Sequence, residues 1–409
     1  MVRTGKEQEI EIRRILKRFY RWEYFWLCLL LVVTLAMHLG IISFPGEHVL
    51  DEKHYITDAL NIIENNETLR SEHPPLGKLF FVTGIKLLGD NPWGWRIFPV
   101  LFGTACIALF YFICRRLDMS RGASSIATFL LAFENMNFMM AGVAMLDVSC
   151  LFFMLLAFLL YLNRGYVTAG AAIGLSALAK LNGALASVVL GLHWLFSRKR
   201  SWWFLLAAVA APLVFLALMP LFDLAIVGDM DGVTDPFSRI KTMMSLSGSL
   251  TFETTDHPAE SRPWEWLLAY RPMAFWYTPH YTGAISFTAW ALIIPAFAYM
   301  VYRAIKGNGA CLFGAAWFAG IYLVWIPISI ITDRTSYIYY FYPAVGAVCI
   351  GLGVGLSQLL DVYRGRESGK LRQAALWTVI IFLFLHLASF LILSPLIPYD
   401  YPSWVQSVG

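Results

Sequence analysis

The chain has 409 residues, 58% of them hydrophobic and only 14% charged. A soluble domain needs far more charge to cover its surface, so the composition argues against a soluble protein. The net charge of +4 says little; the placement of the charges says more.

The apolar residues come in blocks of about 20, enough to cross a roughly 30 Å hydrocarbon core as helix. The strand alternation of an outer-membrane barrel is absent. Eleven spans are predicted, at roughly 23–44, 94–114, 123–140, 144–162, 166–180, 182–196, 202–222, 282–302, 311–331, 338–360 and 374–394. The first follows about 20 polar and basic residues and is long enough to stay in the membrane, so no cleavable signal peptide is expected. The fifth and sixth are short and read as a broken pair. Leu76–Leu88 is apolar on one side and too short to span, so it reads as a helix lying in the interface. No internal repeat is visible. The expected fold class is therefore an all-α polytopic membrane protein, residues 1–409 forming one domain with two long outer loops, about 45–92 and 223–281.

Orientation follows from lysine and arginine. With the N-terminus cytoplasmic, the inner segments 1–22, 115–122, 163–165, 197–201, 303–310 and 361–373 hold 20 of the 31 basic residues, and each holds at least one. Both long loops then face outward, where a membrane enzyme can build a site. The six cysteines lie in apolar blocks or at their inner ends and form no Cys-x-x-Cys pair, so neither a disulfide nor a thiolate metal site is expected.

Chemistry-bearing residues gather at the outer ends. Asp51-Glu52 opens the first loop, and a carboxylate there suits a general base toward a hydroxyl. His73-Pro74-Pro75-Leu76-Gly77-Lys78 gives a rigid extended entry to the interfacial helix, with Lys78 at headgroup level facing a lipid phosphate or simply snorkelling. Arg96, between tryptophan anchors at an outer helix end, holds a phosphate or pairs with an acid. Glu134, Asn135 and Asp147 flank a short outer turn and Lys180 ends span 5 on the same side. Charges at that depth face the interior with partners, as structural ion pairs or as a cavity lining with Asp51. His257, Trp264 and Trp266 stand in the second loop, where aromatic rings grip sugars or lie on a membrane. Arg334 precedes a run of tyrosines including Tyr340; its planar fork of donors suits phosphate at a lipid–water boundary. His48, Asp51, Glu52 and His54 are close in sequence but match no strong metal motif, so no metal site is assigned.

Taken in order, these motifs resemble the protein O-mannosyltransferase family, which uses dolichyl- or polyprenyl-phosphate-mannose and belongs to the GT-C class of membrane glycosyltransferases. Asp51-Glu52 resembles the family's acidic pair, in which the aspartate is taken as catalytic base. His73 to Lys78 resembles its His-Pro-Pro-Leu-x-Lys segment, and Arg96 its arginine at the start of span 2. Glu134-Asn135 with Met145-Leu146-Asp147, Gly174-Leu175 through Lys180 and Gly183, and His257 to Trp266 are similar to successive family segments. Arg334 to Pro343 matches a further one in length. Two departures stand out: Tyr340 replaces the family's usual histidine before span 10, and the soluble domain of eukaryotic members is missing from the long loop, as in prokaryotic members.

The resemblance implies an extracytoplasmic active site in a prokaryotic plasma membrane. It also implies inverting transfer of mannose to Ser or Thr hydroxyls of polypeptides, with Asp51 and Glu52 catalytic. His73, Lys78, Arg96, Lys180, Arg334 and Tyr340 would hold the donor; Glu134, Asn135, Asp147, His257, Trp264 and Trp266 would support the acceptor or the structure. No cofactor and no metal requirement are expected; the partners are the lipid-linked mannose, the polypeptide acceptor and membrane lipids, with no nucleic acid. A GT-C transferase acting on a lipid or glycan acceptor is the alternative. A transporter fits less well, since no inverted repeat is visible and the charges collect at one face.

Overall fold

A computed structural model describes residues 23–255, 257–365 and 368–400. The basic segment 1–22 that enters the orientation argument lies outside them.

Helix α1 spans Phe25–Ile41. The first loop then folds into two helices, α2 (Glu52–Asn65) and α3 (Pro75–Leu88). In α2 the buried set Glu52, Tyr55, Ile56, Asp58, Ala59 and Ile62 follows the three-and-four spacing of one helix face, so the loop packs as a layer against the bundle. In α3, Pro75 suits a first helical position, and Gly77 lets the helix lie on the bundle: a Cβ there would sit 2.6 Å from the Ala179 carbonyl oxygen.

Helix α4 (Pro92–Arg116) starts where the Asn91 side chain accepts the amides of Trp93 and Gly94. Helix α5 (Arg121–Ala132) is capped by Ser120, and α6 (Asn135–Gly142) by Glu134, whose side chain accepts the Asn137 amide. The chain bends by 115° between α6 and α7 (Leu146–Leu162). Helix α8 (Tyr166–Ala179) and α9 (Leu185–Phe196) are separated by a 3-10 turn over Leu181–Ala184. Helix α10 spans Leu205–Val227.

The second loop carries α11 (Pro236–Gly248), capped by Asp235, a one-turn helix over Glu265–Leu268, and an antiparallel hairpin. The hairpin pairs β1 (Met273–Trp276) with β2 (Tyr281–Gly283), Met273 opposite Gly283. Helices α12 (Ile293–Ile305), α13 (Gly309–Phe318), α14 (Trp325–Thr332), α15 (Val345–Arg364) and α16 (Gly369–Leu393) complete the bundle.

The helical membrane character expected from the sequence is present, with one β-hairpin that the all-α expectation did not include. Among the described residues, five helices are long and apolar enough to cross a membrane, or six if the bent pair α6–α7 is one span. Four further apolar helices are shorter, with 10–17 residues. The expected spans fragment where a charge must find a partner. The stretch 123–140 breaks at Glu134, and the break expected between the fifth and sixth spans falls at Lys180; both residues are buried. A charge at that depth needs ligands from several directions, and irregular backbone lets it reach them.

Candidate active site

The residue before Asp51, Leu50, has φ +50°, a left-handed conformation uncommon for a branched side chain. The hairpin braces this approach. Leu50 donates its amide to the Phe275 carbonyl at 3.3 Å, and the Tyr281 hydroxyl donates to the Phe44 carbonyl. Asp51 and Glu52 then diverge. Successive residues at a helix start point about 100° apart, so one carboxylate of the pair faces a cleft and the other the bundle.

Glu52 faces the bundle, where it is fully buried. Its Oε1 accepts from Arg96 Nε at 2.9 Å and the Ala144 amide at 2.7 Å; its Oε2 accepts from Arg96 Nη2 at 2.8 Å and the Val49 amide at 2.8 Å. Arg96 donates onward to the carbonyls of Ile42 (3.0 Å), Pro45 (2.8 Å) and Glu47 (2.9 Å). Every nitrogen of Arg96 is engaged by the protein, which is not the placement expected of a donor-phosphate ligand. The pair ties the start of α2 to the start of α4 and the α6–α7 bend.

Asp51 faces an open cleft with about 270 Å³ of internal space, near the lower end for small-ligand sites. Around it stand Tyr55, Arg70, His73, Lys180, Arg334 and Tyr337, Tyr339 and Tyr340. The Tyr339 hydroxyl donates to Asp51 Oδ2 at 3.4 Å. Burial among these rings raises the Asp51 carboxyl above the ordinary carboxylate range, against the opposing pull of Lys180 and His54. His73 shares a 3.4 Å contact with the Tyr55 hydroxyl. Burial, reinforced by Lys180, Lys78 and Arg334, holds its imidazole well below the usual value, so it is neutral at neutral pH.

The cations of the cleft differ in what they already hold. Lys180 donates to both Asp147 oxygens at 2.8 Å and sits over the rings of Tyr339 and Tyr340, 5.8 and 5.6 Å from their centroids. Arg70 donates to His54 Nδ1 at 2.5 Å and lies 3.7 Å from Glu72. Arg334 is positioned by an antiparallel bridge to Thr251, yet among the described residues its guanidinium has no side-chain partner. Of these three cleft cations it is the one whose charged group makes no side-chain hydrogen bond or ion pair among the described residues.

Lys78 does not line the cleft. It is buried, 3.1 Å from Asp58, with further bonds to Thr68 and to the Arg70 carbonyl, and so knits the chain between α2 and α3. Glu134 and Asn135 are also engaged elsewhere. Glu134 accepts the Ser286 amide at 2.7 Å, and the Asn135 amide group donates to the carbonyls of Thr282 and Ala284, joining the bend to the hairpin. Trp266 is buried with its indole N–H on Ser261, whereas Trp264 is partly exposed. His257 packs edge-on to Tyr337, a cleft residue, at 5.4 Å.

One contributor was not legible in the sequence. Arg239 of α11 donates to the carbonyls of Ser71 and, at 3.1 Å, His73, with its Nε 3.5 Å from Asp223. The second loop thus clamps the His-Pro-Pro segment. Nothing local to Arg239 signals this. Among the described residues no three His, Cys, Asp or Glu side chains converge.

Residues 72–222 match the family described as dolichyl-phosphate-mannose-protein mannosyltransferase. The polyprenol-phosphate-mannose–protein mannosyltransferase of Mycobacterium tuberculosis is 24% identical, over 92% of this chain and 88% of its own. The resemblance to the protein O-mannosyltransferases is borne out. The Corynebacterium glutamicum protein of the same description is 23% identical over 89% of this chain and 87% of its own. Among solved structures, the S. cerevisiae protein O-mannosyltransferase Pmt1–Pmt2 complex bound to the sugar donor aligns at TM-score 0.74 and 13% identity, covering 92% of this chain and 90% of that one. ArnT from Cupriavidus metallidurans aligns at 0.58 and 20%, covering 91% and 72%. At these identities the likeness is one of fold alone.

Proposed function

We propose that this integral membrane glycosyltransferase moves a mannosyl residue from a polyprenyl-phosphate carrier to a Ser or Thr hydroxyl of a polypeptide, on the extracytoplasmic face of a prokaryotic plasma membrane. The observation that carries the reading is the cleft itself: a carboxylate held above its ordinary range by burial shares it with an arginine that, among the described residues, has no side-chain partner.

Asp51 takes the proton of the acceptor hydroxyl as its oxygen attacks the anomeric carbon. The bond from that carbon to the phosphate oxygen breaks, the polyprenyl phosphate leaves from the opposite face, and the sugar's configuration inverts. Phosphate is already a good leaving group, so it needs charge stabilisation more than a proton. Arg334 provides this directly, with Lys180 behind it. Tyr339 orients the Asp51 carboxylate. A neutral His73 accepts or donates a hydrogen bond toward the sugar without competing for the phosphate charge. Glu52, Arg96 and Lys78, expected from the sequence to touch substrate, take supporting roles because their polar atoms are engaged by the protein.

The test is transfer of radiolabel from polyprenyl-phosphate-mannose to a Ser/Thr-rich peptide by purified protein, with and without chelator, beside Asp51→Asn. Label on the peptide that is lost in the variant supports donor, acceptor and base together. Label that appears only on lipid or glycan acceptors refutes the polypeptide acceptor. Loss of transfer with chelator refutes metal independence.

A further inference from the structure

A second cavity opens at the opposite ends of the helices that form the cleft. Asp147 and Lys180 mark the cleft ends of α7 and α8. At their other ends the turn 163–165 joins them, and α8, with 14 residues, carries the chain about 20 Å between the two sites. The cavity has a volume of about 750 Å³ and lies between that turn and the one joining α9 to α10. Arg164, Lys199 and Arg200 line it together with Trp203 and Leu206.

Three features point to its occupant. The two turns meet because α8 and α10 approach with almost no side chain between them. A Cβ on Gly170 would lie 2.6 Å from the Ala207 carbonyl oxygen, and one on Gly174 would lie 2.9 Å from that of Ala211. This is a Gly-x-x-x-Gly contact of the kind that brings membrane helices together. The convergence of cations is therefore fixed by helix packing. Arg164 occupies a backbone position with φ +64°, closing α7 where glycine is the ordinary choice. Finally, the wall continues into an exposed apolar strip: Trp202 and Trp203 are about 70% exposed, and Leu205, Val209 and Leu213 follow them along α10. Tryptophan marks the level of lipid headgroups, and leucine and valine below it mark acyl chains. A soluble anion would use the cations and leave the strip bare. An amphiphile with an anionic head fits both.

We infer that the cavity lined by Arg164, Lys199 and Arg200 binds the headgroup of an anionic phospholipid, whose acyl chains run along α10. The site lies about 20 Å along α8 from the cleft and is separate from the donor site proposed above. Basic pockets between helices at the inner face recognise such headgroups, and each cation near the surface contributes roughly a fivefold gain in binding.

The experiment is native mass spectrometry of the full-length protein in detergent, titrated with phosphatidylglycerol and phosphatidylcholine at equal concentration. Phosphatidylglycerol should be retained about tenfold or more over phosphatidylcholine. Arg164→Gln with Lys199→Gln and Arg200→Gln should remove the preference. Arg364→Gln with Lys370→Gln, which removes inner-side charge away from the cavity, should leave it. If the triple variant does not fold, Lys199→Gln, an exposed single change, should weaken binding roughly fivefold. Equal retention of the two lipids, or equal loss in the control pair, would show that these cations serve only to orient the chain. Displacement of the lipid by millimolar inorganic phosphate would assign the site to a soluble anion and overturn the inference.

Discussion

Arg96 and Arg334 are both arginines at the cleft end of the bundle, and the structure gives them opposite duties. Arg96→Met removes a guanidinium that bonds both oxygens of buried Glu52 and the carbonyls of Ile42, Pro45 and Glu47. Breaking one partner of a buried ion pair costs about 3–5 kcal/mol. Glu52 keeps the amides of Val49 and Ala144, which holds the cost toward the lower end, about 3 kcal/mol or a factor of roughly 100 in the folding equilibrium. Arg334→Met removes a half-buried side chain that has no side-chain partner among the described residues, so stability should change by no more than about 0.5 kcal/mol. Its loss should instead raise the donor KM about 10- to 100-fold, the worth of one charge-assisted hydrogen bond. Thermal denaturation in detergent followed by size exclusion reads the first effect, and initial rates against donor concentration read the second. Arg96→Met should melt several degrees early while the folded fraction keeps a near-normal donor KM. Adding Glu52→Met should recover part of the loss, since a well-packed apolar pair can replace a buried ionic one. If Arg96→Met melted with the wild type and raised the donor KM tenfold, the supporting role of this pair would be wrong.

Asp51→Asn should lower kcat by about 100-fold or more while donor binding persists; near-normal transfer would eliminate it as the base. Because the Asp51 pKa is raised, the carboxylate is protonated and idle over a wider acid range. The acid limb of kcat/KM should therefore lie above the ordinary aspartate value of about 4, with activity climbing as pH rises through it, and a flat profile down to that value would contradict the assignment. Tyr339→Phe removes a 3.4 Å hydrogen bond to Asp51 and should cost roughly 1 kcal/mol of transition-state stabilisation, a severalfold fall in kcat; a rate equal to wild type would mean that the contact does not orient the base. Arg239→Ala should lower kcat about tenfold by releasing the carbonyls of Ser71 and His73, and Arg239→Lys should not restore it, because one ammonium cannot span both. Full activity in the alanine variant would show that the clamp is dispensable.

The sequence by itself determined the membrane class and the serial order of the motifs, because each is written in a contiguous stretch. A 20-residue hydropathy block or a His-Pro-Pro-Leu-Gly-Lys segment needs no distant partner to be recognised. Asp51, Lys180, His73, Arg334 and Tyr340 were found this way, and all line one cleft. Only the tertiary structure decided which acid of Asp51-Glu52 faces that cleft, since neighbours at a helix start diverge by about 100° and either register satisfies the local pattern. It alone separated the engaged cations from the available one. The partners that occupy Arg96 and Lys180 lie 44 and 33 positions away in the chain, and those that occupy Arg239 lie up to 168 away. The breaks inside the apolar blocks have the same cause. Whether an apolar block stays helical depends on where its buried charge finds ligands, and at Glu134 those ligands include Ser286, 152 residues further along the chain.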